Sequence, residues 1–251
     1  MSSKKRRRVI YGGLAVLVAV IALAGWGTVE LLRPNHPYSG SWQADAGGRK
    51  LLEVHTDGMG VSLGPSDSSQ VEVKADGGYD NDAPQVAVKR SGQGLSVVGS
   101  CPSGGCSVQL HIKLPADLAV KADTGGPQIS VSDLKGPLDL RTGSGAIDAD
   151  NTSGALTLHT GAGAVTLAGS RSPSASVTTG DGAVDAGFVS APTNVNIATG
   201  NGAVDLRVPH GSRYYIDATS SNSTPDVKLP VDRNASHQIT VKTRSGGIQV
   251  H

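Results

Sequence analysis

The sequence predicts an all-β protein, a β-solenoid (β-helix) with coils of about 18–20 residues that follows one N-terminal transmembrane helix. Three observations predict it: a glycine-punctuated hexapeptide that recurs along the chain, period-two apolar alternation on both sides of each copy, and no helical period beyond Leu32.

The hexapeptide stands at Thr142-Gly-Ser-Gly-Ala-Ile147, Thr160-Gly-Ala-Gly-Ala-Val165, Thr179-Gly-Asp-Gly-Ala-Val184 and Thr199-Gly-Asn-Gly-Ala-Val204, with a weaker copy at Thr243-Arg-Ser-Gly-Gly-Ile248. Apolar residues lie four and two positions before each threonine, as in Leu138 and Leu140 or Val195 and Ile197. They recur five and seven positions after it, as in Ile147 and Ala149 or Val204 and Leu206. Each copy therefore reads as two short strands joined by a glycine-rich turn. The same spacing extends back to Thr124, and with shifted glycines to Arg90 (Val86, Val88, then Leu95, Val97) and Thr56 (Leu52, Val54, then Val61, Leu63).

Glycine at the first and third turn positions is expected to supply backbone angles that a Cβ would penalise. A two-strand unit is too small to bury its own apolar face, so units must stack. Parallel stacking would advance the chain about 4.8 Å per coil and align Val, Leu, Ile and Ala into inward ladders. The alternative is an antiparallel β-sandwich or prism, because a Thr-Gly-x-Gly turn can also close a hairpin. Connecting stretches such as Asp150 to Ala155 and Ala168 to Ser174 exceed what a simple hairpin needs and favour the solenoid.

The N-terminus sets the topology. Residues 1–8 form a basic cytoplasmic tail with Lys4, Lys5, Arg6, Arg7 and Arg8, and residues 9–32 carry no charge but Glu30. That run is long enough to span a bilayer, which takes about 20 apolar residues. It continues past the small-x-small site Ala22-Leu23-Ala24, where a cleaved signal peptide would end. The basic cluster keeps the N-terminus inside, so the protein is expected in the plasma membrane as a single-pass chain, with its C-terminal domain extracytoplasmic. Residues 33–48 read as a linker and 49–251 as the β-repeat domain.

Outside the tail, 17 basic residues face 21 acidic ones, a mildly acidic balance that excludes an electrostatic footprint for nucleic acid. Cys101 and Cys106, in the segment Cys-Pro-Ser-Gly-Gly-Cys, are expected to form a local disulfide in an oxidising exterior. Only eight aromatic residues occur, so a thin core of small aliphatics is expected.

The repeated Thr-Gly-x-Gly-Ala-Val units, the segment Ile112-Lys-Leu-Pro-Ala-Asp117 and the segment Leu206-Arg-Val-Pro-His-Gly211 resemble the bacterial putative-adhesin β-strand-repeat family of unknown function. The resemblance covers about Leu51 to His251. It implies a β-helical fold on the outer face of the plasma membrane and no catalytic residues to carry over. The chain departs from the repeat between Pro209 and Asp232, where Tyr214, Tyr215 and Ile216 lead into Thr219-Ser-Ser-Asn-Ser without the glycine pair.

Candidate chemistry is sparse. Stacking would bring Asp185 beside Asp205 and Asp181 beside Asn201, and adjacent carboxylates repel unless a cation relieves them. These four residues are a candidate weak Ca²⁺ site, set against the simpler reading of a solvated polar face that discourages edge association. No other cofactor is expected. A polysaccharide-cleaving β-helix enzyme would need paired carboxylates and sugar platforms, yet the repeats from Thr124 to Arg207 contain one aromatic, Phe188. The seven histidines share no ligand spacing and are expected at the surface. The expected function is a non-enzymatic cell-envelope protein presenting a repetitive β surface for adhesion to cell-wall polymer or an envelope protein. The alternative is an accessory or sensory subunit that pairs with a membrane signalling protein through residues 9–32.

Overall fold

The computed structural model describes residues 36–92, 94–102 and 105–251; the basic tail and the membrane-spanning stretch lie outside them. All regular elements among the described residues are strands. The first seven are β1 (His36–Asp45), β2 (Leu51–Asp57), β3 (Met59–Pro65), β4 (Gln70–Tyr79), β5 (Gln85–Ser91), β6 (Gly94–Ser100) and β7 (Cys106–Leu114). The central coils hold β8 (Ala119–Asp123), β9 (Ile129–Ser132), β10 (Leu138–Thr142), β11 (Ile147–Asp150), β12 (Leu156–Thr160), β13 (Val165–Ser170), β14 (Ser174–Thr179), β15 (Val184–Phe188), β16 (Asn194–Thr199) and β17 (Val204–Arg207). The chain ends with β18 (Tyr214–Ser220), β19 (Asp226–Val227), β20 (His237–Thr243) and β21 (Ile248–Val250). The stretch read as a linker thus carries β1, which pairs at the edge of a sheet beside β4.

From β8 to β17 the chain alternates between two sheets, so each coil contributes one strand to each. Sheet A has the order β1-β4-β7-β3-β9-β11-β13-β15-β17-β21-β19, and sheet B the order β18-β20-β16-β14-β12-β10-β8-β2-β6-β5. Two strands per coil follow from the lengths: two strands of four to six residues and two corners consume the 18- to 20-residue period. The pairing is parallel and in register. Leu138, Leu156, Ala175, Val195 and Ile239 align across sheet B, and Ile147, Val165, Val184, Val204 and Ile248 align across sheet A. All of these side chains are buried in one continuous aliphatic core. Parallel strands with such ladders bury one face and leave the other to water, which is the alternation in the sequence.

Both ends depart from chain order. At the C-terminal end β18 pairs with β20, so the last coil (β20–β21) slots between β16–β17 and the earlier coil β18–β19. The segment Pro209 to Asp232 that breaks the sequence repeat is therefore the terminal coil. Ser220 takes the threonine position there and donates to the Gly246 carbonyl at 2.9 Å. Tyr214 is fully buried beneath it and donates its hydroxyl hydrogen to the Pro209 carbonyl at 2.9 Å.

At the N-terminal end β2–β3 packs against β8–β9, and β6–β7 lies outside it. The copy traced at Thr56 is thus a true coil. The copy traced at Arg90 is not: β5 and β6 form an antiparallel hairpin in one sheet, with Val88 opposite Val97 and Val86 opposite Gly99. Alternating apolar residues around a turn cannot by themselves separate a hairpin from a coil, and here the short connection closes a hairpin. β4 is likewise antiparallel to β7, so at the N-terminal end each sheet leaves the parallel stack through an antiparallel pair.

The corners explain the hexapeptide. Each repeat threonine is buried, and its hydroxyl bonds twice. Thr160 donates to the Gly145 carbonyl of the preceding coil at 2.8 Å and accepts the Gly163 N–H at 3.0 Å. Thr179 donates to the Gly163 carbonyl at 3.0 Å and accepts the Gly182 N–H at 3.1 Å. Thr142, Thr199 and Thr243 repeat the arrangement. Gly161, Gly180 and Gly200 also donate their N–H groups to the matching glycine carbonyl one coil back, at 2.8–2.9 Å, so the corners continue the ladder.

These glycines are needed for space rather than for backbone angle. Among the turn glycines of Thr124 to Thr199 only Gly125 has a positive φ, 65°. A Cβ on Gly163, Gly182 or Gly202 would overlap the carbonyl oxygen of the corner glycine one coil back. The expected conformational role is therefore corrected: the coils approach so closely at this corner that no side chain fits.

Candidate interaction surface

The outward side chains of the two sheets form rows at strand spacing, and the two faces differ. On sheet A the register places Asp148 beside Thr166, Thr166 beside Asp185 and Asp185 beside Asp205. Most polar groups of this acidic face bond within it. Arg207 lies between two carboxylates, donating from Nη1 to Asp205 Oδ1 at 3.0 Å and from Nη2 to Asp185 Oδ1. His251 Nε2 is also 3.0 Å from Asp205 Oδ1, and Gln128 donates to Asp148 Oδ2 at 2.6 Å.

The four residues singled out for Ca²⁺ fall into two pairs. Asp185 and Asp205 are register partners on adjacent strands, and Asn201 donates its amide to Asp181 Oδ1 in the turn. The guanidinium of Arg207 supplies positive charge between the first pair, a partner that spacing along the sequence did not single out. The signal was there: Arg207 lies two residues after Asp205, on the same face of the strand. Among the described residues no group of three or more His, Cys, Asp or Glu is gathered as metal ligands are.

On sheet B the outer row runs Lys121, Asp139, Thr157, Ser176, Asn196, Thr240 and Asp217. Charges stand at its ends, and its centre holds only hydroxyl and amide groups. Asp139 is paired with Arg141 at 3.0 Å.

Cys101 and Cys106 are joined, with Cα atoms 5.9 Å apart. They bridge the end of β6 to the start of β7, the corner of the outermost N-terminal coil. Gly99 holds the threonine position there, opposite Thr56. The covalent link thus closes a corner that lacks the hydroxyl bonds of its neighbours. Of the described histidines, His36, His55, His111, His159 and His210 are exposed, whereas His237 and His251 are half-buried. His237 Nδ1 lies 2.8 Å from the Pro192 carbonyl and its ring tilts against Tyr214. Phe188, the one aromatic in the central repeats, is buried.

No curated protein sequence matches the chain. The solved structures it resembles share little sequence with it. A "putative adhesin" from Parabacteroides distasonis ATCC 8503 is 12% identical, with a TM-score of 0.47 over 87% of this chain and 98% of that one. A "putative adhesin" from Parabacteroides merdae ATCC 43184 is 11% identical, with a TM-score of 0.46 over 86% and 97%. A "putative cell adhesion protein" from Clostridium sporogenes ATCC 15579 is 10% identical, with a TM-score of 0.39 over 85% and 98%. The family model Toastrack DUF4097 matches residues 53–251, which takes in every coil of the parallel stack from the second half of β2 onward. The match spans the solenoid, and the chain belongs to the Toastrack DUF4097 family.

Proposed function

We propose that the protein is a non-enzymatic component of the cell envelope, held in the plasma membrane by residues 9–32, whose solenoid makes contact with cell-wall polymer or another envelope protein. The observation that carries this reading is the division of labour within each strand. Inward residues build one aliphatic core, while outward residues form long rows of polar groups at constant spacing. Such rows suit an extended, repetitive partner better than a small molecule, which binds in a concave pocket.

The test is sedimentation of the detergent-solubilised full chain with isolated wall fractions and with membranes stripped of wall. Saturable co-sedimentation with either supports the reading. Turnover of an envelope glycan by the purified chain, or no retention by any envelope fraction, overturns it. Parallel runs with calcium and with chelator test whether Asp181, Asp185, Asn201 and Asp205 take up the ion.

A further inference from the structure

We infer that the outer face of sheet B between β12 and β20 is a track for an uncharged, extended polysaccharide lying along the solenoid axis, with about one sugar residue per coil. The inference rests on the reading above and narrows it to one face and one ligand class.

The face is defined by register. Thr157, Ser176, Asn196 and Thr240 are successive Cα partners on β12, β14, β16 and β20. His159 and Thr178 form the start of a second row beside them. These side chains project outward, either exposed or half-buried. These six side chains include no carboxylate, lysine or arginine; the charges that border them are the Asp139–Arg141 pair on β10, Asp217 beside Thr240, and Lys242 on β20.

The hydrogen-bonding state of the two faces differs in the same direction. On sheet A the acidic groups are engaged by Arg207, His251 and Gln128. On the sheet B patch, none of the hydroxyl and amide side chains named forms a hydrogen bond with another described residue. Their donors and acceptors face solvent and are free for a ligand.

Charge and spacing then select the ligand. Outside its basic tail the chain is mildly acidic, with 17 basic against 21 acidic residues, so an anionic polymer gains nothing from this domain. A neutral, hydroxyl-rich polymer matches an uncharged face whose groups both donate and accept. The coils advance by about 4.8 Å, close to the length of one hexose residue in an extended β-linked chain. Successive sugars can therefore meet equivalent groups on successive strands. The one aromatic ring in the patch is the His159 imidazole, so the sugars are held mainly by hydrogen bonds and binding strength comes from the number of coils engaged.

The test uses the full chain in detergent, sedimented with insoluble cellulose as the neutral probe and with insoluble calcium-free polygalacturonate resin as the anionic one. The variant Thr157→Val/Thr178→Val/Thr240→Val removes three hydroxyls while keeping side-chain shape, and Thr166→Val on sheet A is its control. Retention by cellulose and not by polygalacturonate is expected. The triple variant should need at least about tenfold more cellulose for half-retention, as the loss of three ordinary hydrogen bonds requires. Thr166→Val should match the parent. Equal retention of the triple variant, or preference for the anionic resin, refutes the track. Retention by wall or membrane fractions with none by cellulose refutes the track and leaves the envelope-contact reading standing. Absence of all retention refutes both.

Discussion

Replacing Thr179 by valine tests the corner hydroxyls directly. Valine has the same shape, suits a strand equally well and is more apolar, so a core governed by hydrophobicity alone would tolerate or welcome it. Thr179 is 3% exposed. Its hydroxyl donates to the Gly163 carbonyl and accepts the Gly182 N–H, so the substitution orphans two backbone groups at a closed corner. An unsatisfied buried group costs about 1–3 kcal/mol. Two of them, partly relieved by water reaching the corner, cost about 2–4 kcal/mol. Thr179→Ser keeps both bonds and loses one methyl, worth about 1 kcal/mol. The order of stability is therefore parent, then serine, then valine, and Ser220 already does this work in the terminal coil. Urea unfolding followed by circular dichroism reads the difference as a midpoint shift of roughly 1 M or more for valine. A valine variant as stable as the parent, or more stable than the serine variant, would refute the corner-hydroxyl argument.

Further expectations follow from other corners and faces. Gly182→Ala places a methyl against the Gly163 carbonyl and should destabilise by about 1–3 kcal/mol, whereas Gly211→Ala, with open space around it, should change stability by less than about 0.5 kcal/mol; thermal melts of both variants check this. Arg207→Gln leaves Asp185 and Asp205 facing each other, and because the groups are partly exposed the cost should stay below about 1 kcal/mol. The variant should gain more melting temperature from added calcium than the parent does, and an equal response would contradict the charge role given to Arg207. Burial raises the Tyr214 phenol pKa, opposed in part by a hydrogen bond from Ser212. The raised folded value makes its contribution complete below the unfolded pKa of about 10 and lost as pH climbs beyond that value. Tyr214→Phe should flatten the alkaline fall in stability and lower stability by about 1 kcal/mol at neutral pH through loss of the Pro209 bond; an unchanged alkaline profile would contradict it.

The parallel stack was legible because its two periods are independent and agree. Alternation assigned Val165, Val184 and Val204 to the core, and the constant step between threonines aligned them with one another. The inversion of coil order at the ends was not legible. Which coil neighbours which depends on pairing at the stack ends, and β18 carries the same alternation wherever it docks. The hairpin of β5 and β6 was misread for a related reason, since Val86, Val88, Leu95 and Val97 have coil-like spacing but share one sheet. The reason for the turn glycines was also hidden, because the carbonyl that excludes a side chain from Gly182 belongs to a residue 19 positions earlier. Of the candidate cation site, the pairings of Asp185 with Asp205 and Asp181 with Asn201 were foreseen from stacking. The guanidinium that joins the first pair was not legible from acidic spacing, which carries no signal for a basic neighbour.

The central claim is that coils stack in parallel register with the last one inserted before the one that precedes it. Spin labels at Lys121 and Thr240, and separately at Lys121 and Asp217, test it by pulsed electron paramagnetic resonance, since all three lie on one outer row of sheet B. Five strand steps separate the first pair and six the second, giving about 24 Å and about 29 Å at about 4.8 Å per step. A shorter distance to Asp217 than to Thr240 would contradict the inserted coil, and distances unrelated to strand steps would contradict the stack itself.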